Sequence, residues 1–321
     1  MKAAVVNVLG QAPKFQDFPE PVAGQGEAIV EMHAAGLHPV VKAIASGAHY
    51  SSRGQVPVVV GLDGVGALPD GSLVYCYASR PPFGTMAERT VVVPEKCIPL
   101  PKGLDPSQAA AIANPGMSAW LSLKLRAGLI AGETVLILGA TGVAGQLAIQ
   151  SARYLGAAKV IAAGRSREVL ESLDVDAVVV LSDPEEAVSE SFAAQIRDQG
   201  IDVVIDYLWG RPTELFLGAL AKGFRPDAVR RTRLVEVGES AGKNVSLPGA
   251  ILRSIDLTLM VGGFGSIPLD QIVSAIPTVF SLAAAGHLSV VVKSVPLADV
   301  ENAWSAVEKG KRIVFSIHTV R

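Results

Sequence analysis

The sequence predicts an α/β fold in which a doubly wound parallel sheet is joined to an N-terminal antiparallel β-barrel-like domain. Three observations carry the prediction. Thr134 to Leu155, TVLILGATGVAGQLAIQSARYL, reads as a buried strand, a tight glycine turn and a helix. Short apolar runs then alternate with helical patterns as far as Val261, the order that a parallel sheet with crossover helices requires. Residues 1 to about 118 have a different texture, with short strand-like runs broken by frequent Pro and Gly, as in a compact antiparallel barrel or sandwich. A chain of 321 residues also exceeds what one hydrophobic core usually organises. The domains expected are 1–118, with 266–321 returning to it, and 119–265.

In chain order, Ala3 to Val8, Glu27 to Ala34, Val56 to Val60, Ser72 to Tyr77 and Glu88 to Val93 are the strand-like runs of the first domain. Between them stand Pro13, Pro19, Pro21, Gly24, Gly26, Pro69, Gly71, Pro81, Pro82 and Pro94, which end strands by lacking an N–H or by favouring turns. The texture turns helical in DPSQAAAIANPGMSAWLSLKL, capped by Asp105 or Ser107 and interrupted around Pro115 and Gly116, because proline costs a helix a hydrogen bond. Thr134 to Leu138, Lys159 to Ala163, Ala177 to Leu181, Ile201 to Asp206, Arg233 to Val237 and Asp256 to Val261 are the strands of the parallel sheet, with helices Pro184 to Arg197 and Arg211 to Lys222 among them. Six strands suit two mononucleotide-binding halves. The tail reads as a helix from Leu269 to Ala285, a strand Ser289 to Val295, a helix Leu297 to Lys309 stopped by Gly310, and a strand Arg312 to Ile317. It does not extend the parallel sheet and is expected to return to the N-terminal domain.

The glycine turn Gly139-Ala-Thr-Gly142-Val-Ala-Gly145 sits where a dinucleotide pyrophosphate would lie, between the end of a strand and the start of a helix. Such a ligand must approach bare backbone closely and rest on the N–H groups and positive dipole end of the new helix. Gly139, Thr141, Gly142, Val143 and Gly145 are therefore candidate binding residues; the plain alternative is a turn with no ligand.

Composition narrows the function. Half the residues are hydrophobic, 18% are charged and 5% aromatic, a well-buried α/β composition. A net charge of −2 provides no field for attracting nucleic acid or an anionic membrane surface. Cys76 and Cys97 form no CxxC and are too few for a structural zinc site or a disulfide framework. No apolar stretch is long enough to span a bilayer, and a soluble, cytoplasmic protein is expected.

Four segments together resemble the medium-chain dehydrogenase/reductase superfamily, in particular its zinc-independent quinone oxidoreductase-like branch. They are AAGLHPVVKAIASGAHY (Ala34 to Tyr50), GLDGVG (Gly61 to Gly66), AAIANPGMSAW (Ala110 to Trp120) and GATGVAG (Gly139 to Gly145), in the superfamily's order. The resemblance implies a Rossmann nucleotide domain, a GroES-like N-terminal domain completed by the tail, and a homodimer. In zinc-dependent members the metal ligands fall at positions that match His38, Leu62 and Asn114 here. Leu62 cannot ligate, and Asn114 is a poor zinc ligand beside imidazole or thiolate, so no zinc is expected. Asp63 is expected to hold its turn through backbone hydrogen bonds.

Cofactor choice is read at the end of the second strand, KVIAAGRSRE. A carboxylate there would bond the ribose hydroxyls of NAD, whereas an Arg accommodates the additional phosphate of NADP. Gly164, Arg165 and Ser166 occupy the position and no acid does, which favours NADPH. The alternative is that Arg165 and Arg167 are solvated loop charges. The resemblance adds Ser118 at the nicotinamide, whose alternative is a core serine. Gly238, Gly263 and Phe264 complete the candidate cofactor set, although the Gly262-Gly263-Phe264-Gly265 run could equally be a hinge.

Hydride transfer to a quinone or activated alkene requires positioning and a donor for the developing oxyanion. GAHYSSRG offers His49, Tyr50, Ser51 and Arg53. Tyr50 is chosen because the resemblance implies a tyrosine in this loop, with His49 beside it; a packing role for Tyr50 remains the alternative, and His38 and Lys42 are weaker candidates. A short-chain dehydrogenase is excluded, since no Tyr is followed four places later by Lys. A reductase of enones or enoyl thioesters, or an NADPH-binding sensor without catalysis, stays open. The partner expected is a small electrophile, with no nucleic acid and no membrane.

Overall fold

The Pro- and Gly-broken first third of the chain pairs antiparallel, because short strands joined by tight turns lie beside their sequence neighbours. The computed structural model describes residues 1–49, 52, 54–223, 230–263 and 265–317. The chain divides into two compact units, Met1–Asn114 with Ile276–Arg321, and Pro115–Ala275.

The first unit carries β1 (Lys2–Val6), β2 (Lys14–Asp17), β3 (Ala28–Gly36), α1 (Pro39–Ala45), β4 (Val58–Val59), β5 (Gly64–Ala67), β6 (Leu73–Cys76), β7 (Arg89–Val92) and β8 (Ile98–Pro99). β1 lies between β2 and β4, and Ala3 to Val6 are wholly buried. β3, the longest strand, pairs antiparallel with both β5 and β7. The sequence pattern did not indicate β2, β5 or β8. β5 reads Gly-Val-Gly-Ala, a poor strand former by composition, and its glycines serve close approach: a Cβ on Gly64 would stand 2.6 Å from the carbonyl oxygen of Ala34 on β3.

α2 (Pro106–Leu121) follows without the interruption expected at Pro115. Asp105 is its cap, accepting the Gln108 amide at 2.9 Å through Oδ1. Ala109 to Ala113 are completely buried, and that packing outweighs the one hydrogen bond the proline removes. The turn ends in a wider π-type coil over Ser122–Arg126, where Ala127 N–H reaches back to the Ser122 carbonyl.

The second unit is built on β9 (Thr134–Leu138), α3 (Val143–Tyr154), β10 (Lys159–Gly164), α4 (Arg167–Glu171), β11 (Ala177–Val180), α5 (Glu185–Gln199), β12 (Val203–Asp206), α6 (Gly210–Lys222), β13 (Arg231–Glu236), α7 (Gly249–Ser254) and β14 (Asp256–Val261). All adjacent strands are parallel in the order β11-β10-β9-β12-β13-β14, with the chain reversing direction across the sheet between β9 and β12. Every residue of β9 is buried, as expected for a central strand covered on both faces. Phe192 of α5 and Phe216 of α6 meet edge to face, their centroids 5.6 Å apart, in the core beside Leu136, Leu138 and Val204.

The tail comprises α8 (Leu269–Ala284), β15 (Val291–Pro296), α9 (Val300–Trp304) and β16 (Lys311–Ser316). β16 pairs antiparallel with β3, and Ile313 and Phe315 share a core with Ala4, Val6 and Ala35. The helix expected as far as Lys309 instead consists of a 3-10 turn over Leu297–Asp299 and α9, which stops at Trp304. Beyond that point only the small Ala306 still packs on the core, while Val307 is 87% exposed and Glu308 pairs with Lys293. A helix without an apolar face to pack is marginal in water. Among the described residues no helix is long and apolar enough to cross a membrane.

Candidate cofactor site and a buried carboxylate

The glycine turn joins β9 to α3 by steps that the residue types dictate. Gly139 takes φ +90°, which side-chain-bearing residues resist, and its N–H and that of Ala140 both donate to the Ala163 carbonyl on β10, at 2.9 and 3.0 Å. Gly145 lies one helical turn on, where a Cβ would stand 2.4 Å from the Gly139 oxygen and 2.6 Å from the Ala140 Cα. Only glycine lets α3 close on the turn. Gly142 differs: its φ is −80°, and a Cβ there would meet only the Gly139 oxygen, at 3.4 Å. No side chain caps α3 and no acid stands in its first turn, so the amides of Val143, Ala144 and Gly145 keep the unsatisfied donors and positive dipole end of a helix start. That arrangement suits a phosphate.

At the neighbouring strand end, Gly164 makes room for Thr141, since a Cβ would stand 2.7 Å from the threonine methyl. Arg165 follows and is exposed; among the described residues its guanidinium has no hydrogen bond or ion pair, while its carbonyl accepts the Ser182 hydroxyl at 3.0 Å. Arg167, two places on, is held by Asp183 at 3.0 Å and approaches Glu171 at 4.0 Å. Ser166 caps α4 by its backbone, and its hydroxyl makes no capping bond.

A further part of the site was not legible in the sequence. Asp206, the last residue of β12, is wholly buried; it accepts the Thr213 hydroxyl at 2.5 Å and the amides of Leu208 and Trp209 at 2.8 and 2.9 Å. Burial pushes its carboxyl up, against the pull of those donors. The bonds tie down a turn in which Trp209 adopts φ 54° and the Tyr207 side chain packs against Gly139. Tyr207 is half-buried, but its hydroxyl is shut away from solvent and desolvation pushes its phenol up; Ser118 beside it pulls the other way, although their geometry stops short of a hydrogen bond. Ser118 and the glycine turn are thus linked through Tyr207. A lone acid closing an apolar strand, Val203 to Asp206, was the available signal. Gly238 N–H donates to the Asp206 carbonyl at 3.2 Å, and Gly263 N–H donates to the Ser266 hydroxyl at 2.9 Å. The loops after β9, β10, β12, β13 and β14 therefore carry the candidate residues at the carboxyl ends of the strands, where open α/β sheets bind ligands.

His49 belongs to the first unit, in the turn after α1; its N–H reaches the Ala43 carbonyl at 3.2 Å, and burial pushes its imidazole down toward the neutral form. Tyr50, Ser51, Arg53 and Phe264 lie outside the described residues. Asp63 corrects an expectation. Its side chain is not spent on backbone amides but accepts the Tyr75 hydroxyl at 2.6 Å and faces His38 Nε2 at 3.3 Å; His38 and Asp63 are each only 1% exposed. The His38 contact is off the direction of a hydrogen bond. Burial and then the Asp63 charge push the Tyr75 phenol well up, which keeps it a donor. Arg312 is also buried, donates to the Leu37 carbonyl at 2.9 Å, and is pushed down to about 10 by burial, with Asp63 opposing. Lys42 is pushed down by partial burial and by the Arg312 charge. Among the described residues no three His, Cys, Asp or Glu side chains converge as a metal would need.

No family model matches the chain. A probable NADPH-dependent quinone reductase of Emericella nidulans is 27% identical and aligns with 98% of this chain and 99% of its own length. The quinone oxidoreductase of Rattus norvegicus is 29% identical across 71% of this chain and 72% of its own. The solved quinone oxidoreductase of Thermus thermophilus, studied also as a complex with NADPH, superposes with a TM-score of 0.78 over 99% of this chain and 100% of its own, at 28% identity. By these likenesses the chain is similar, over most or all of its length, to quinone oxidoreductases of the medium-chain dehydrogenase/reductase superfamily.

Proposed function

We propose that this protein is an NADPH-dependent oxidoreductase that passes hydride to a quinone or another small activated carbonyl or alkene, without zinc. The observation that carries the cofactor choice is the guanidinium of Arg165 at the end of β10, unpaired among the described residues and beside Ser166, with no carboxylate in the ribose position. Gly139, Thr141, Gly142, Val143 and Gly145 would hold the pyrophosphate on the open start of α3. Gly164 sets the strand end against Thr141, and Arg165 with Ser166 would hold the additional phosphate. Ser118, Gly238, Gly263 and Phe264 would line the nicotinamide half. When bound, NADPH supplies the hydride. The chain's own task is then to position the electrophile and to provide a hydrogen bond to its oxygen as negative charge develops. Tyr50 is assigned that role, with His49 beside it in the sequence.

The first unit is read as a GroES-like substrate domain, and its largely antiparallel sheets, with β16 laid antiparallel against β3 and parallel to β15, support that reading. The assembly is read as a homodimer paired through β14. The zinc-free reading rests on Leu62 and Asn114 at the positions of metal ligands.

The test is Arg165→Glu, with NADPH and NADH affinities measured by titration calorimetry. Replacing a charge-assisted phosphate contact with a like charge should weaken NADPH by about 2 kcal/mol or more and leave NADH little changed. Equal loss for the two cofactors would overturn the assignment.

A further inference from the structure

Cys76 and Cys97 are the only two cysteines in the chain, and the fold brings them together. Their sulfurs are 3.9 Å apart. The separation follows from strand register. β6 and β8 pair antiparallel with Val74 opposite Pro99 and Tyr75 opposite Ile98, so one further step sets Cys76 opposite Cys97. The Leu100 amide donates to the Leu73 carbonyl at 2.9 Å, which marks 73 and 100 as a hydrogen-bonded pair. Alternation along the ladder then makes 76 and 97 a non-hydrogen-bonded pair, the kind with Cα atoms about 4.5 Å apart and side chains closest. That spacing lies inside the window of about 4.4–6.8 Å in which a disulfide closes without moving backbone.

The two thiols are unequal. Cys76 is wholly buried among Val30, Met32, Val74 and Val92, whereas Cys97 is only partly buried, at the end of the 3-10 turn over Pro94–Lys96. The shared S–H···S contact holds the Cys97 thiol below its usual range and pushes Cys76 well above it. An accessible, more acidic sulfur beside a buried partner is the arrangement of an attacking and a resolving cysteine.

We propose that Cys76 and Cys97 form a thiol pair that a hydroperoxide converts to a reversible cross-strand disulfide between β6 and the start of β8. The Cys97 thiolate attacks the distal peroxide oxygen, the O–O bond breaks, and Cys97 becomes a sulfenic acid as water (or the alcohol, from an organic hydroperoxide) leaves. The Cys76 thiol then attacks the Cys97 sulfur, forming the S–S bond and releasing water. The two thiols lose two electrons and two hydrogens, and the peroxide is reduced by two electrons. The step closes a staple on β8, which ends the seven-stranded sheet. It rests on the first unit alone and not on the reading of the cofactor site.

The experiment treats the reduced full-length protein with hydrogen peroxide, then blocks free thiols with iodoacetamide under denaturing conditions. The expected result is an intact monomer lighter by two hydrogens, no alkylation, a Cys76–Cys97 cross-linked peptide, and full recovery of both thiols with dithiothreitol. In Cys76→Ala, Cys97 should stop at a sulfenic acid trapped by dimedone; in Cys97→Ser, oxidation of Cys76 should slow on the order of tenfold or more, because its thiol is buried and poorly ionised. A Cys97 sulfinic acid with Cys76 still reduced in the unaltered protein, or a disulfide linking two chains through Cys97, would overturn the proposal.

Discussion

Arg165 and Arg167 share one loop, yet their surroundings give them different uses. Asp183 occupies the Arg167 guanidinium, and breaking that exposed pair to bind a phosphate would bring little net gain. Arg165 has no such prior commitment among the described residues. A commitment of the same kind sets Tyr75 aside as a donor. Tyr75 donates to Asp63 in a fully buried pair and has no hydroxyl to spare for a substrate. Tyr50 is the proposed donor, and a phenol that titrates near pH 10 stays protonated at neutral pH. Tyr50→Phe removes the oxygen and keeps the ring. Turnover with a quinone and with an enone should fall on the order of a hundredfold, at unchanged NADPH affinity. Unaltered turnover with both substrates would show that Tyr50 only packs.

At the scale of elements, the glycine turn separates two jobs that the pattern GATGVAG runs together. Gly145 serves the contact of α3 with the end of β9, since any Cβ would collide with backbone, whereas Gly142 has ordinary clearance and takes a dihedral open to other residues. Gly145→Ala should therefore cost about 1–3 kcal/mol of stability through overpacking. Gly142→Ala should stay within about 1 kcal/mol of the parent in stability, and the added methyl on the exposed face of the turn should weaken NADPH. Urea denaturation paired with NADPH titration checks both. Equal stability losses at 142 and 145 would contradict the division of labour. α2 makes a related point: a run of buried alanines carries a helix through Pro115, where local propensity alone would stop it.

At the scale of the whole molecule, β14 is the open edge of the six-stranded sheet. Among the described residues it pairs only with β13, and Leu259 and Val261 remain 47% and 45% exposed. An apolar strand with a free row of N–H and C=O groups is a hazard unless something pairs with it. A second copy of the same strand across a twofold axis satisfies both backbones and closes the contact. Light scattering at micromolar concentration should return twice the monomer mass, and Leu259→Lys should shift it toward the monomer by placing two like charges across the axis. A monomeric mass for the parent protein would rule the dimer out.

The parallel sheet and the turn at its centre were set by residue pattern alone. All six strands from Thr134 to Val261 were legible within a few residues of where they lie, because buried central strands are short apolar runs and their crossovers keep helical period. Long-range packing settled the rest, for a consistent reason: the deciding partner lies far away along the chain. β5 is a strand because its glycines admit the backbone of β3. α9 ends where its apolar face shrinks to Ala306 before the exposed Val307. Asp63 answers to Tyr75 and faces His38, Ser118 lies beside Tyr207, and Cys76 meets Cys97 through the register of the antiparallel pair β6 and β8. A periodic pattern records which face of an element is buried, but it holds no record of which residue waits on the other side.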